Sequence, residues 1–266
     1  MANKIHRLNH IIKEDKRTFI VAIDHGNIFN VLPELMKPEK IIKEIAKGGA
    51  DAFLATVGLV DKFPDAFMDK GIILRLDGGM SMLGNKDKSL ERIFTVEDAL
   101  RLGADAVICM GFPGSKWEEK YLKNLSRNVA ECNKWGVPLL AEMLPMGFEG
   151  GEGSRTDDNL AFACRLGAEM GADMIKTYYT GCKEGFRKLI ESTYVPVVIL
   201  GGGKRINEEK LLRDIKEALD IGASGVAIGR NIWKHPNPQR LTAAIAKIVH
   251  GDYSVNIALK ELNKIY

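Results

Sequence analysis

The phrase GADAFLA at residues 49–55 returns as GADAVIC at 103–109, GADMIKT at 171–177 and GASGVAI at 222–228. Each copy follows an amphipathic stretch, such as IIKEIAKG before the first and LLRDIKEALDIG before the fourth. A glycine closing a helical pattern suits the left-handed backbone at a helix C-terminus, and the short apolar run behind it reads as a buried strand. The four phrases therefore mark four helix-to-strand joints.

Between them lies a second set of apolar runs, TFIVAID at 18–24, GIILRLD at 71–77, GVPLLAE at 136–142 and YVPVVIL at 194–200. The two sets alternate strictly, giving eight short β-rich runs separated by segments long enough for helices. Fully apolar strands alternating with helices imply a parallel sheet covered on its outer face. Eight such units about 30 residues apart predict a closed (β/α)8 barrel, an architecture of typically about 250 residues; this chain has 266. An open doubly wound sheet is the alternative, and it is disfavoured by the four-fold regularity and by the lack of a G-x-G-x-x-G turn after the first run. The whole chain, 1–266, is expected to be one barrel domain with residues 1–17 as a helical extension. Ile5, Leu8, Ile11 and Ile12 give that extension an apolar face, suited to covering the barrel floor or to meeting a neighbouring subunit.

Composition narrows the function. Against 35 acidic residues the 38 Lys and Arg leave a formal net charge of +3, spread without a basic block, so no nucleic-acid partner is expected. No run of about 18 apolar residues predicts a membrane span, and the N-terminus lacks the apolar core of a signal peptide. Cys109, Cys132, Cys164 and Cys182 form no C-x-x-C pair, which fits a reducing, cytoplasmic setting. Of the five histidines only His25 falls at the end of a strand-like run, so metal chemistry is disfavoured and no cofactor is implied.

In a closed barrel the C-terminal ends of the strands carry the chemistry. The sixth residues of the sister phrases are Leu54, Ile108, Lys176 and Ala227, so one of four equivalent strand positions is a lysine. Burial in an apolar wall favours the neutral amine, which can attack a ketone or aldehyde and form an iminium. The alternative is a structural lysine paired with a buried carboxylate. The odd-numbered runs end in Asp24, Asp77 and Glu142, carboxylates that could move protons around such an intermediate or merely pair with Lys176.

The seventh run ends in Gly201, Gly202 and Gly203 with Lys204, and the eighth in Gly229 and Arg230. Glycine-rich loops at these two positions are the recurrent phosphate cradle of the architecture, so the expected substrate is phosphorylated; a tight turn is the plainer alternative. The glycine-rich stretch GFEGGEGSRTDD at 147–158 is expected to act as a lid. Ser81, with Ser115 and Lys116, could add contacts from other loops of the same face.

VAIDHG at 21–26, GADMIKTYYTG at 171–181, VVILGGGKR at 197–205 and GVAIGRNIWKH at 225–235 together resemble one family over nearly the whole chain. It is the class I aldolase family of archaeal-type fructose-bisphosphate aldolase, aminodideoxyheptulosonate synthase and the autoinducer-2 catabolic thiolase. The resemblance implies a Schiff base on Lys176, proton transfer by Asp24, a phosphate held by Gly202, Gly203, Gly229 and Arg230, and a homo-oligomer, often a decamer. The pattern departs after the fifth run, where members similar to the aldolases carry a Tyr-Pro-Arg-Gly-like segment. Here Leu144, Pro145, Met146 and Gly147 stand instead, and Glu142 could take over as the acid–base group. Three functions stay open: cleavage of a phosphorylated ketose, transfer of a fragment to an acceptor, and non-catalytic phosphosugar binding.

Overall fold

The computed structural model describes residues 2–27, 31–84, 88–202 and 207–263. Eight parallel strands close into a barrel: β1 (Thr18–Ala22), β2 (Ala52–Ala55), β3 (Gly71–Arg75), β6 (Ala106–Gly111), β7 (Leu139–Met143), β8 (Met174–Thr177), β9 (Val197–Leu200) and β10 (Gly225–Ile228), with β10 pairing back onto β1. All eight coincide with the apolar runs, and the closed ring excludes the open sheet. A short antiparallel pair, β4 (Asp77–Gly78) with β5 (Glu91–Arg92), branches off beyond β3.

Side chains alternate between the two faces of each strand. Ile20, Leu54, Ile73, Ile108, Leu140, Met174 and Val198 fill the barrel interior as one cluster. Their strand neighbours Phe19, Phe53, Leu74, Val107, Ile175 and Val226 face outward and pack with the helices in the larger core. That outer layer includes α2 (Pro38–Lys47), α5 (Glu118–Trp135), α6 (Asp157–Glu169), α7 (Lys183–Ser192), α8 (Glu208–Ile221) and α10 (Pro238–Gly251). Among the described residues no helix is long and apolar enough to cross a membrane.

The repeated phrase has a structural logic at its first and third letters. Gly49, Gly103, Gly171 and Gly222 all take positive φ (99°, 75°, 96° and 125°), the backbone expected of a glycine that ends a helix. The aspartate two residues on closes the start of a neighbouring strand. Asp51 accepts the Phe19 N–H at 2.7 Å, Asp105 that of Ile72 at 2.9 Å and Asp173 that of Leu139 at 2.8 Å. Ser224 replaces the acid in the fourth copy, and there its backbone carbonyl takes the Thr18 N–H.

The same three aspartates anchor the N-terminal helix α1 (Ala2–Ile11). Lys4 meets Asp173 at 2.9 Å, His10 meets Asp105 at 2.8 Å, and Lys13, just past the helix, lies 4.0 Å from Asp51. Ile11 is fully buried in the interior cluster, with Leu8 and Ile12 against it. Helix α1 therefore plugs the floor of the barrel, leaving the other end for chemistry.

On the same floor His250 of α10 contacts Asp15 at 2.7 Å and Asp51 at 2.8 Å. The Asp51 hydrogen bond is the largest influence, and it raises the imidazole pKa above its ordinary 6.5, while Asp15 is held below its own ordinary value. A cation favoured by folding contributes stability that is complete below pH 6.5 and fades as pH rises through the folded-state value. Thermal unfolding of the native protein and His250→Gln should therefore differ most between pH 5 and 6.5 and converge toward higher pH. A gap independent of pH would contradict this assignment.

Candidate active site

Lys176 and Glu142 are register partners on β8 and β7, and both point into the open end of the barrel. Lys176 Nζ lies 2.8 Å from Glu142 Oε1. The other glutamate oxygen accepts from Arg75 at 2.6 Å. Arg75 is the last residue of β3, only 5% exposed, and its guanidinium serves two further carboxylates. Its Nε donates to Asp24 Oδ2 at 2.9 Å and a terminal nitrogen donates to Asp77 Oδ1 at 3.1 Å. One planar cation thus holds three acids, and Lys176 adds a second positive charge at Glu142.

The charges follow from this network. Burial works against ionisation of Asp24 and Glu142, but Arg75 and Lys176 outweigh it and hold both carboxyls below their ordinary values. Asp77 goes the other way, raised because burial outweighs its contacts with Arg75 and with the Met110 N–H at 2.6 Å. Burial also lowers the pKa of His25, with Asp24 opposing, so the imidazole is neutral at pH 7. Its ring meets Trp233 edge-on, centroids 5.3 Å apart.

A cavity of about 180 Å³ opens onto Lys176, Glu142, Asp24 and Arg75. The segments after β9 and β10 bring Gly202, Gly229 and Arg230 to it, and those after β7 and β8 bring Phe148, Arg155 and Tyr178. Cross-ties hold the two glycine turns together: Arg230 donates to the Gly202 carbonyl and Asn231 to that of Gly201, each at 3.0 Å. Gly229 admits no side chain, since a Cβ there would stand 2.5 Å from the Ala22 carbonyl oxygen.

Several sequence expectations need correcting. Lys176 does not lie in an all-apolar wall but against Glu142. Asp77 is not at the cavity: both its oxygens are taken, by Arg75 and by the Met110 amide, because the chain turns aside into the β4–β5 pair. Ser81 lies exposed in the loop beyond β4, away from the cavity. Ser115 and Lys116 also lie off the cavity wall, Lys116 over the Trp117 ring. Gly203 and Lys204 fall outside the described residues. The 147–158 loop does reach the cavity, through Phe148, which packs edge-on against Phe112 with centroids 5.0 Å apart, and through Arg155.

Arg75 is the principal residue that sequence reasoning missed, and a signal for it existed. The fifth letters of the odd-numbered runs are Ala22, Arg75, Leu140 and Val198, again one charged residue among four equivalent strand positions. His25, Arg155 and Tyr178 also line the cavity and carried weaker signals, being single residues at strand ends or in a loop.

A closed parallel barrel with a charged mouth at the C-terminal ends of its strands defines a barrel enzyme, and comparison with known proteins makes it a carbon–carbon lyase. Residues 18–235 match the model of the DeoC/LacD family aldolases, and the chain belongs to that family. It is 37% identical over 260 residues to 2-amino-3,7-dideoxy-D-threo-hept-6-ulosonate synthase of Halobacterium salinarum, covering 97% of this chain and 96% of that one. It is 34% identical over 249 residues to 3-hydroxy-5-phosphonooxypentane-2,4-dione thiolase of an Enterobacter species, covering 93% and 81%. Among solved structures, an archaeal fructose-1,6-bisphosphate aldolase with its catalytic lysine covalently bound to the carbinolamine intermediate superposes with a TM-score of 0.84 at 29% identity, covering 92% of this chain and 99% of that one.

Proposed function

We propose that the protein is a class I aldolase in which Lys176 forms a Schiff base with a phosphorylated ketose of the fructose-bisphosphate kind. The observation that carries this reading is the 2.8 Å contact between Lys176 Nζ and Glu142 Oε1 at the cavity. Glu142 is within reach to take one proton from the paired ammonium, freeing the lone pair that bonds to the carbonyl carbon, and to relay two nitrogen protons in turn to the substrate oxygen, the first making the carbinolamine hydroxyl and the second the departing water. The resulting iminium is the electron sink. Asp24, whose Oδ1 is not used by Arg75, then removes the proton of the distal hydroxyl. The adjacent carbon–carbon bond breaks, an aldehyde departs, and the pair of electrons stays as an enamine on Lys176. Protonation and hydrolysis release the second product.

A phosphate on the substrate is supported by Gly202, Gly229 and Arg230, which reach the same cavity, and by the phosphorylated compounds named for two of the relatives. The family resemblance further supports a cytoplasmic homo-oligomer, up to a decamer. Treatment with borohydride and dihydroxyacetone phosphate should add the reduced triose phosphate to Lys176, located by peptide mass spectrometry. Labelling at another residue, or none with any phosphorylated ketone, would refute the covalent reading.

Transfer to an acceptor is the second reading. The observation favouring it is Leu144, buried in an apolar cluster with Leu90, Met110 and Phe112, where the family's aldolases carry a phenol. It requires strict dependence of turnover on an added acceptor. Simple cleavage does not.

A further inference from the structure

Cleavage leaves an enamine on Lys176 whose carbon must gain a proton before hydrolysis can release the second product. Few groups around the cavity can supply it. Asp24 and Glu142 are held as carboxylates, and His25 is a neutral imidazole. The three arginines of the wall do not give up protons, its apolar side chains have none to give, and Lys176 is spent in the imine. Among the described residues lining the cavity, Tyr178 is the remaining side chain with an acidic proton.

Its surroundings suit the task. Tyr178 lies two residues beyond Lys176, half-buried on the segment that follows β8, and its ring packs against the apolar cluster of Met110, Phe112 and Leu144. Among the described residues no hydrogen bond engages its hydroxyl, so the proton is not committed elsewhere. Burial raises the phenol above its ordinary pKa, with the Arg155 cation opposing, and it is therefore protonated at pH 7. The Arg155 guanidinium lies over the ring face, 4.0 Å from the centroid. There it stabilises the phenolate that remains once the proton has moved.

We infer that Tyr178 is a catalytic residue, the acid that protonates the enamine carbon, with Arg155 stabilising its conjugate base. This assignment rests on the Schiff-base reading above. The electron pair of the enamine C=C bond takes the phenolic proton to form a C–H bond, and the nitrogen lone pair restores the C=N bond of the iminium. Water then hydrolyses the iminium to the ketone and the Lys176 ammonium. Asp24 releases to solvent the proton it took from the distal hydroxyl and the phenolate takes one back, so the cycle closes with no further reactant.

The test follows the carbon proton. Dihydroxyacetone phosphate alone can form the imine and then the enamine, so in heavy water it should return from the enzyme with deuterium on the carbon beside the carbonyl. Nuclear magnetic resonance would measure this exchange for the native protein, Y178F and R155Q, with borohydride labelling of Lys176 on the same samples. In Y178F exchange should fall by about 100-fold or more, the range of general acid–base catalysis. Labelling at saturating ligand should stay at the native level, which a damaged barrel would not allow. In the exchange direction the phenolate removes the carbon proton, so native exchange should rise with pH. R155Q keeps the phenol but loses the cation on its ring, and its rise should move to higher pH.

Exchange retained near the native rate in Y178F would hand the carbon proton to Asp24 and overturn the inference. Loss of labelling together with exchange in Y178F, a native protein that labels without exchanging, or an unshifted pH profile in R155Q would also overturn it. The two readings fail differently. A native protein that neither labels nor exchanges removes the covalent chemistry and Tyr178 together, whereas native labelling with exchange retained in Y178F removes Tyr178 alone.

Discussion

Replacing Lys176 by alanine will abolish borohydride-trapped adducts and lower kcat/KM for the best phosphorylated ketose by a factor on the order of 10⁴ or more, since no other group can serve as the electron sink. The loss should lie in kcat if the amine acts on the reacting carbon as proposed, because the proposed phosphate contacts of Gly202, Gly229 and Arg230, which line the same cavity, are left in place. Lys176→Met, closer in volume, should be equally inactive while filling more of the space beside Glu142, so that inactivity is separable from damage to the barrel. Steady-state kinetics combined with thermal unfolding checks both statements. A Lys176→Met enzyme retaining a tenth of native turnover would remove the lysine from the mechanism.

The second large effect belongs to Arg75. Arg75→Met leaves Asp24, Asp77 and Glu142 facing one another in a buried mouth with only Lys176 for compensation. Removing one partner from a buried ionic network costs about 3–5 kcal/mol, readable as a lower urea midpoint. The sign of the pH effect follows from the depressed carboxyls. Asp24 and Glu142, held below 3.8 and 4.5 in the native protein, contribute stability that is present above those values and lost as pH falls through the lower folded-state pKa values. Without Arg75 both pKa values rise, so part of that contribution disappears even at neutral pH and the acid limb of kcat/KM moves to higher pH. Arg75→Lys keeps a charge but cannot reach three carboxylates in one plane, and it should fall between the two in stability. Native stability with an unshifted acid limb in Arg75→Met would show that the three acids do not depend on this cation.

The pair Lys176 and Arg75 shows how far the chain could be read. Lys176 stood out because three sister phrases place Leu54, Ile108 and Ala227 at its position, and a residue so unlike its equivalents has to be explained by chemistry. Arg75 stands out in the same way against Ala22, Leu140 and Val198, but its signal is masked by the acids Asp24, Asp77 and Glu142 that end three of the same four runs two residues later. Those terminal acids looked equivalent and are not. Asp24 and Glu142 reach the cavity, whereas Asp77 follows the chain into a side hairpin and spends both oxygens on Arg75 and Met110. Arg155 was harder still, because a residue in a glycine-rich loop acquires a place only when the path of the loop is known.

The amino-acid sequence alone determined the number and order of the eight barrel strands, the left-handed glycines ending the helices, and the one strand lysine. Those features depend on local backbone preference and on apolar periodicity, which a chain carries in its own order. Only the tertiary structure decided which charges meet. Neighbouring barrel strands are staggered, so side chains sharing a layer come from different letters of each run. Desolvation then makes each ionised group depend on the partner it finds across the barrel. The triad of acids on Arg75, the Glu142–Lys176 contact and the seat of Arg155 on Tyr178 all arise from that closure.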